Sequence, residues 1–180
     1  MSDRKGDWAQ TYTGKQFWPL DPSAEDVDIV DIAHGLSNLC RFNGHCRSFY
    51  SVAQHSVLVS RIVNDSQALP GLLHDASESY TGDLVSPLKR NLPPEFKSIE
   101  KEIERIIFEH FGIEINGIDY QEIKRADKVV LVTEMRDVMG KPPKKWNEDG
   151  LFAPMEEKII PLSPEEAEQL FLRRYQELTR

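Results

Sequence analysis

An all-α fold is predicted by three observations. Apolar side chains recur at helical spacing through the middle of the chain, helix-start and helix-stop residues fall at the ends of those runs, and the one stretch rich in β-formers, residues 11–20, is short and interrupted by glycine. That stretch, TYTGKQFWPL, reads as a strand or hairpin because Thr, Tyr, Phe and Trp suit a pleated, half-buried surface. Pro22 and Ser23 make a linker. Ile32, Ala33, Leu36, Leu39 and Cys40 then predict a helix over 32–42, with Asp31 as its N-cap and Asn43-Gly44 as its stop. Ser51 opens a second helix to about Val63, carrying Val52, Val57, Leu58, Val59 and Ile62. Ser66 reads as the N-cap of a third, running to about Tyr80, with Pro70 near its first turn, where a missing N–H costs least.

The strongest helical pattern is 95–111, with Phe96, Ile99, Ile103, Ile106, Ile107 and Phe108 on one side and Glu/Lys pairs outside. Pro93 and Pro94 introduce it and Gly112 ends it. A fifth helix, about 119–139, carries Ile123, Ala126, Val130, Leu131 and Met135. Residues 140–163 read as a loop with a short strand at 158–161. The last helix opens S-P-E-E at Ser163, an N-cap followed by proline at the first helical position and acids at the positive end of the dipole.

With 180 residues, 20.7 kDa and 39% hydrophobic residues, the chain is expected to form one domain, 1–180, that buries roughly two thirds of its unfolded surface. Such a domain needs no metal or disulfide merely to fold, so a bound metal is expected to be catalytic. Thirty acidic against 22 basic residues, net −8, argue against a protein that coats nucleic acid or an anionic membrane. A small anionic substrate needs only a local positive cluster and stays open. No stretch approaches the ~18 apolar residues that span a bilayer, and MSDRKGDWAQ has no apolar h-region, so a cytoplasmic location is expected. Cys40 and Cys46 are too few for a zinc knuckle and read as reduced thiols.

Five histidines are present. His34, beside apolar helical neighbours, and His110, at a helix end, read as structural. His45 lies in a loop between Arg41 and Arg47. The adjacent pair His74-Asp75 does not help an apolar face, and burying it without a partner is costly. A divalent metal would resolve that cost, since imidazole nitrogen and carboxylate oxygen suit Zn, Mn, Co or Fe. Glu78 follows His74 by four positions and so lies on the same face one turn on. Asp127 is a carboxylate in an otherwise apolar run, either the partner of Arg125 and Lys128 on a solvated face or a further ligand from another helix.

His55, then His74-Asp75, then Asp127 resembles the H…HD…D metal signature of the HD-domain phosphohydrolase superfamily. HDASESYTGDLVSPLK (74–89) and LCRFNGHCRSFYSVAQHS (39–56) are similar to the small prophage- and phage-type branch of its 5'-deoxyribonucleotidases, over roughly residues 10–140. The resemblance implies a bundle of about five core helices plus the C-terminal helix, with the small N-terminal β element as an accessory. It implies one divalent transition metal (Co, Mn, Zn or Fe) on His55, His74, Asp75 and Asp127, which lowers the pKa of water toward ~7 and neutralises phosphoryl charge. Glu78 matches the acidic residue that orients the attacking water or moves its proton, and Asp83 a second carboxylate that orients water or contacts the sugar. Arg41 and Phe42 fall where these enzymes carry an Arg followed by an aromatic, although relatives often have Trp in place of Phe42. Lys89 and Arg90 after Pro87 are candidate phosphate contacts or else a solvated charge pair, and His45 is a candidate neighbour of the substrate.

Ser79 after Glu78 departs from the acidic pair of the alarmone hydrolases, and no GYP-type segment follows the HD pair. The expected function is removal of the 5'-phosphate from deoxyribonucleoside monophosphates. The alternatives are a phage-type dATP triphosphohydrolase that releases triphosphate, and a non-catalytic nucleotide- or metal-binding module. A deoxynucleotide is the expected small-molecule partner, with no nucleic acid or membrane. A homodimer or higher homo-oligomer is expected from the family, and Leu170, Phe171 and Tyr175 of the last helix serve either that interface or the chain's own core.

Overall fold

The chain is described here by a computed structural model covering residues 4–114 and 116–180. Residues 1–3, which begin the segment read as lacking an h-region, lie outside the described residues.

Thr and aromatic residues near the start do form a hairpin. β1 (Ala9–Gln10) runs antiparallel to β2 (Gln16–Phe17), with Ala9 opposite Phe17. Its first strand starts ahead of residue 11 because Thr11 is already in the turn, where its carbonyl accepts from Gly14 N–H. The other regular elements are helical: α1 (Ile29–Asn38), α2 (Val52–Ile62), α3 (Ala68–Leu73), α4 (Glu78–Thr81), α5 (Ser86–Lys89), α6 (Pro94–His110), α7 (Gly117–Asp137) and α8 (Pro164–Leu178).

Three of the expected boundaries need correction. Asp28, not Asp31, caps α1 by accepting from Val30 N–H. Asp31 is a buried residue inside the helix, and its carboxylate accepts from Thr13 N–H at 2.7 Å and Thr13 Oγ1–H at 2.8 Å, tying the hairpin to α1. The helix stops at Asn38, because Leu39 is extended and Cys40 bridges Ser51. The expected third helix is a short 3₁₀ turn (Asp65–Gln67), then α3, then a tightened turn over 74–77, then α4. Ser66 therefore caps nothing. Within that turn Ala76 N–H reaches Leu73 O and Glu78 N–H reaches Asp75 O, three residues back rather than four.

No strand forms at 158–161 among the described residues; the segment is strapped to helices by side chains instead. Ile159 N–H donates to Asp137 Oδ2 at 2.8 Å, Arg136 donates to Met155 O and Glu157 O, and the Gln54 amide joins Ile160 O to Leu162 N–H. Ser51 and Ser163 are caps as expected, and Ser163 closes a capping box with Glu166.

The main core gathers Phe17, Ile32, Leu36, Val57, Leu72, Ile103, Ile107 and Phe171, so hairpin, α1, α2, α3, α6 and α8 share it. A second cluster joins α2 to α7 through Val59, Ile123, Ala126 and Val130. The middle of α2 is thus walled in on all sides. Of the two uses weighed for α8, packing on its own core is the one seen: Phe171 is fully buried there, with Leu170 and Tyr175 against it. His34 and His110 serve the fold, through Glu168 at 3.0 Å and Ala24 O at 2.6 Å.

α1 and α4 touch at Gly35, where an added Cβ would lie 2.8 Å from Ser79 Cβ and 3.3 Å from its backbone. Gly35→Ala gains about 1 kcal/mol of helix propensity but must push α4 away, and overpacking of this kind costs about 1–3 kcal/mol. The urea midpoint of this variant is expected to fall below that of the native chain. A raised midpoint would show that the two helices separate freely.

Candidate metal centre

His55 sits where α2 is walled in, and every residue from Val52 to Val57 is buried. A fully buried imidazole needs partners for both nitrogens. Glu134 of α7, also without exposed surface, supplies one: its Oε1 accepts from His55 Nδ1–H at 2.7 Å. A carboxylate only accepts, so a proton lies on Nδ1 and Nε2 points inward. His74, at the end of α3, is oriented in the same sense, because its Nδ1–H donates to Gly71 O at 2.8 Å.

Both Nε2 atoms are buried and have no hydrogen-bond partner. Around them stand carboxylate oxygens. Asp75 Oδ2 is 3.2 Å from His74 Nε2 and 3.6 Å from His55 Nε2, and Asp127 Oδ1 is 3.4 Å from His55 Nε2. Ligands bonded at ~2.1 Å to one ion stand about 3–3.5 Å apart, so these spacings suit a divalent metal. His55, His74 and Asp75 each place one ligand atom within 4.8 Å of the others, and Asp127 flanks them from the His55 side. The solvated-face account of Asp127 does not hold, since Lys128 bonds Glu148 at 3.3 Å instead. Nitrogen and oxygen donors in this set would hold Zn, Mn, Co or Fe.

Electrostatics follow the same geometry. Burial and Arg41 depress the His55 pKa, but the Glu134 and Asp127 carboxylates outweigh them and raise it to about 9, so without an ion Nε2 also holds a proton at neutral pH, and a metal would take that proton's place. Burial raises the Asp75 carboxyl, yet His74, His55 and Arg41 drive it far below its usual range. Glu78, buried on α4, goes the other way: burial, Asp75 and Asp83 all raise it, against Lys89 at 3.6 Å. One oxygen of Glu78 is buried without a partner.

Arg41 is buried rather than free. Its Nε lies 3.0 Å from Glu134 Oε1, one terminal nitrogen donates to Glu134 Oε2 at 3.2 Å, and the other lies 3.7 Å from Asp75 Oδ2. The guanidinium therefore spans the carboxylate behind His55 and a metal-side carboxylate. Lys89 on α5 pairs with Glu100 at 2.9 Å.

Two cavities meet at Asp127 and Arg90. One, of about 340 Å³, is lined by His74, Asp75, Glu78, Lys89 and the basic residues Lys97, Lys101 and Lys124. The other, of about 500 Å³, is lined by Arg41, Phe42, His45, Asp83, Lys145 and Trp146. Every site residue expected from the sequence thus lines one of these cavities, apart from His55, which is sealed behind them.

Glu134 escaped the sequence reading. The available signal was its position seven residues after Asp127, two turns on along the same face of α7. Trp146 escaped because its loop offers no periodicity to read.

Against curated proteins, the chain is 39% identical over 178 residues to the uncharacterized protein YfdR of Escherichia coli (strain K12), covering 94% of each chain. It is 31% identical over 144 residues to the uncharacterized protein RCAP_rcc00048 of Rhodobacter capsulatus, covering 74% of each. No protein-family model matches the chain.

Removing the Glu134 carboxylate should act at a distance from the ligands. Glu134→Ala leaves Arg41 and His55 unpaired in the interior, and loss of one partner of a buried pair costs about 3–5 kcal/mol. Glu134→Gln keeps the shape, and its affinity for Mn²⁺ by titration calorimetry is expected to fall about 10–100-fold, the usual effect of losing such a support. Native affinity in Glu134→Gln would show that the carboxylate does not tune His55.

Proposed function

The chain belongs to the family of Escherichia coli YfdR, and we propose that it is a divalent-metal phosphohydrolase of the HD-domain superfamily that removes the 5'-phosphate from deoxyribonucleoside monophosphates. One observation carries the reading: two buried, unpartnered imidazole nitrogens converge with two carboxylates at metal-ligand spacing. Apolar neighbours such as Val57, Leu73, Ala76 and Ala126 already fill the cores around this set, so its polar atoms add nothing to apolar packing.

His55, His74, Asp75 and Asp127 would hold the ion. When bound, it supplies Lewis acidity, lowering the pKa of water and drawing charge off the phosphoryl oxygens. The protein's own groups do the rest. Arg41, held from behind by Glu134, presents guanidinium hydrogens to a phosphoryl oxygen, the geometry that suits a planar fork. Glu78 takes the proton of the attacking water and returns one to the departing 5'-oxygen. Water adds to phosphorus, the P–O5' bond breaks, and the products are orthophosphate and the deoxynucleoside. Asp83, in the cavity with Arg41 and Phe42, would meet the sugar or order water, and Lys89 neutralises charge beside Glu78.

A second reading, cleavage of dATP to deoxyadenosine and triphosphate, is favoured by one feature. The cavity on the Glu78 side carries Lys89, Arg90, Lys97, Lys101 and Lys124, a basic lining suited to further phosphates although Glu100 and Glu104 share it.

The full-length protein, stripped with EDTA and reloaded with Mn²⁺ or Co²⁺, separates these readings when given dAMP and dATP. Orthophosphate from dAMP, abolished by EDTA and restored by metal, is expected. Tripolyphosphate from dATP with inert dAMP would replace the first reading by the second, and binding without product from either would make the protein a binding module.

In Glu78→Ala the metal content should stay at the native level while kcat falls about 100-fold or more, the usual worth of proton transfer by a placed side chain. Retained kcat would leave Glu78 a structural part only.

A further inference from the structure

The cavity of about 500 Å³ joins two chemistries. Arg41, Asp83 and Asp127 line it from the metal side, and an aromatic pair, Phe42 and Trp146, lines it as well. The two rings stand 5.9 Å apart at 65°, an edge contact that makes a corner and leaves a ring face of each unstacked. Both residues are half-buried.

Two further observations show that the corner is built. Phe42 takes a left-handed backbone conformation, φ 55 and ψ 33, followed by Asn43 at φ 52 and ψ 34. A bulky aromatic is uncommon there, and such conformations persist only where neighbours over-determine them. Here they do: His45 N–H donates to Phe42 O at 3.1 Å, Arg41 N–H donates to Tyr50 O at 2.9 Å, and the Arg41 guanidinium lies 5.3 Å from the Phe42 ring centre. Trp146 is fixed by a different route, because Lys128 of α7 bonds Glu148, two residues beyond it, at 3.3 Å. The same helix therefore supplies Asp127 to the metal centre and, one residue on, the anchor of the Trp146 loop.

We infer that Trp146, with Phe42, holds the base of a nucleoside 5'-phosphate, so that the loop after α7 sets which substrates are accepted. The inference rests on the phosphohydrolase reading for where the phosphate sits. A flat heteroaromatic ring lays its face on the Trp146 indole and its edge against Phe42. Its sugar then runs past Asp83, and its phosphate reaches Arg41. Phe42 alone offers a small stacking surface; the indole supplies the larger one. Ser86 and Asn147, on the same cavity wall, stand ready to meet the polar edge of the base.

The decisive comparison is between dAMP and 2-deoxyribose 5-phosphate, which share the reacting end and differ in the base. In Mn²⁺-loaded protein, Trp146→Ala is expected to raise KM for dAMP about tenfold or more, in line with the worth of aromatic–base stacking, and to leave KM for 2-deoxyribose 5-phosphate unchanged. Trp146→Phe should recover most of the loss for dAMP. An equal change for both compounds, or none for dAMP, overturns the inference.

If neither compound is hydrolysed, the phosphohydrolase reading has failed and the base contact is read by binding. In a Trp8→Phe, Trp18→Phe background, Trp146 is the remaining indole. Quenching of its fluorescence by dAMP but not by 2-deoxyribose 5-phosphate supports the base site, and its absence overturns it.

Discussion

A carboxylate with no exposed surface, Glu134, holds the organisation of the site. Charges of this kind are tolerated in an interior only when their oxygens are met by good donors, and here His55 Nδ1 takes one oxygen at 2.7 Å while Arg41 donates to the other at 3.2 Å. The consequences run outward from that pair of contacts. His55 has a proton fixed on Nδ1 and its Nε2 aimed at Asp75 and Asp127. Arg41, a residue that starts as the first of a 3₁₀ turn with two left-handed residues behind it, is drawn inward so that its guanidinium faces both Glu134 and Asp75. The His55 imidazole and the Arg41 guanidinium are thereby set by one residue, and neither can move without uncovering a buried charge.

The helices were legible because their signals are local. Ser51, Pro94 and Ser163 open helices that the apolar spacing already predicts, and the edges of α2, α6 and α8 lie within a residue or two of expectation. The group of His55, His74 and Asp75 that could hold a metal was legible through its order in the chain. What escaped the reading lies in long-range polar contacts. Asp31 looks like a cap and is instead a buried acceptor for Thr13 of the hairpin, a partner 18 positions away. Residues 158–161 read as a strand, yet Ile159 N–H and Ile160 O are met by Asp137 and Gln54 side chains from helices. Glu134 looks like one more charged residue in a charged helix until its partners, 79 and 93 positions distant, are known.

The turn at 74–77 tightens to about three residues per turn, so neighbouring side chains there diverge by about 120° rather than the roughly 100° of an α-helix. Asp75 Oδ2 nevertheless lies 3.2 Å from His74 Nε2, and Glu78, buried on α4 just beyond the turn, stands near the pair without joining it. Gly35 lets α4 pack this close to α1, since an added Cβ there would lie 2.8 Å from Ser79 Cβ. A small backbone departure, paired with one glycine on the opposing helix, thus accompanies the separation of the His74-Asp75 pair from Glu78.

The charge of the site settles the order in which its parts must fill. Asp75, Asp127, Glu78, Asp83 and Glu134 stand near Arg41 and Lys89, Arg41 is already engaged by Glu134 and Asp75, and Lys97, Lys101 and Lys124 line the cavity on the Glu78 side. The carboxylates beside the imidazoles work against a phosphate monoester, which carries close to two negative charges at neutral pH. A divalent cation between the imidazoles and the aspartates would reverse the local sign there, as bound ions do when they are the largest charges in a site. The acidic balance of the whole chain, net −8, is compatible with an anionic substrate through such an ion together with the local basic lining. On the proposed reading metal must bind first, and the phosphate follows into a field that the ion, Arg41 and Lys89 make together.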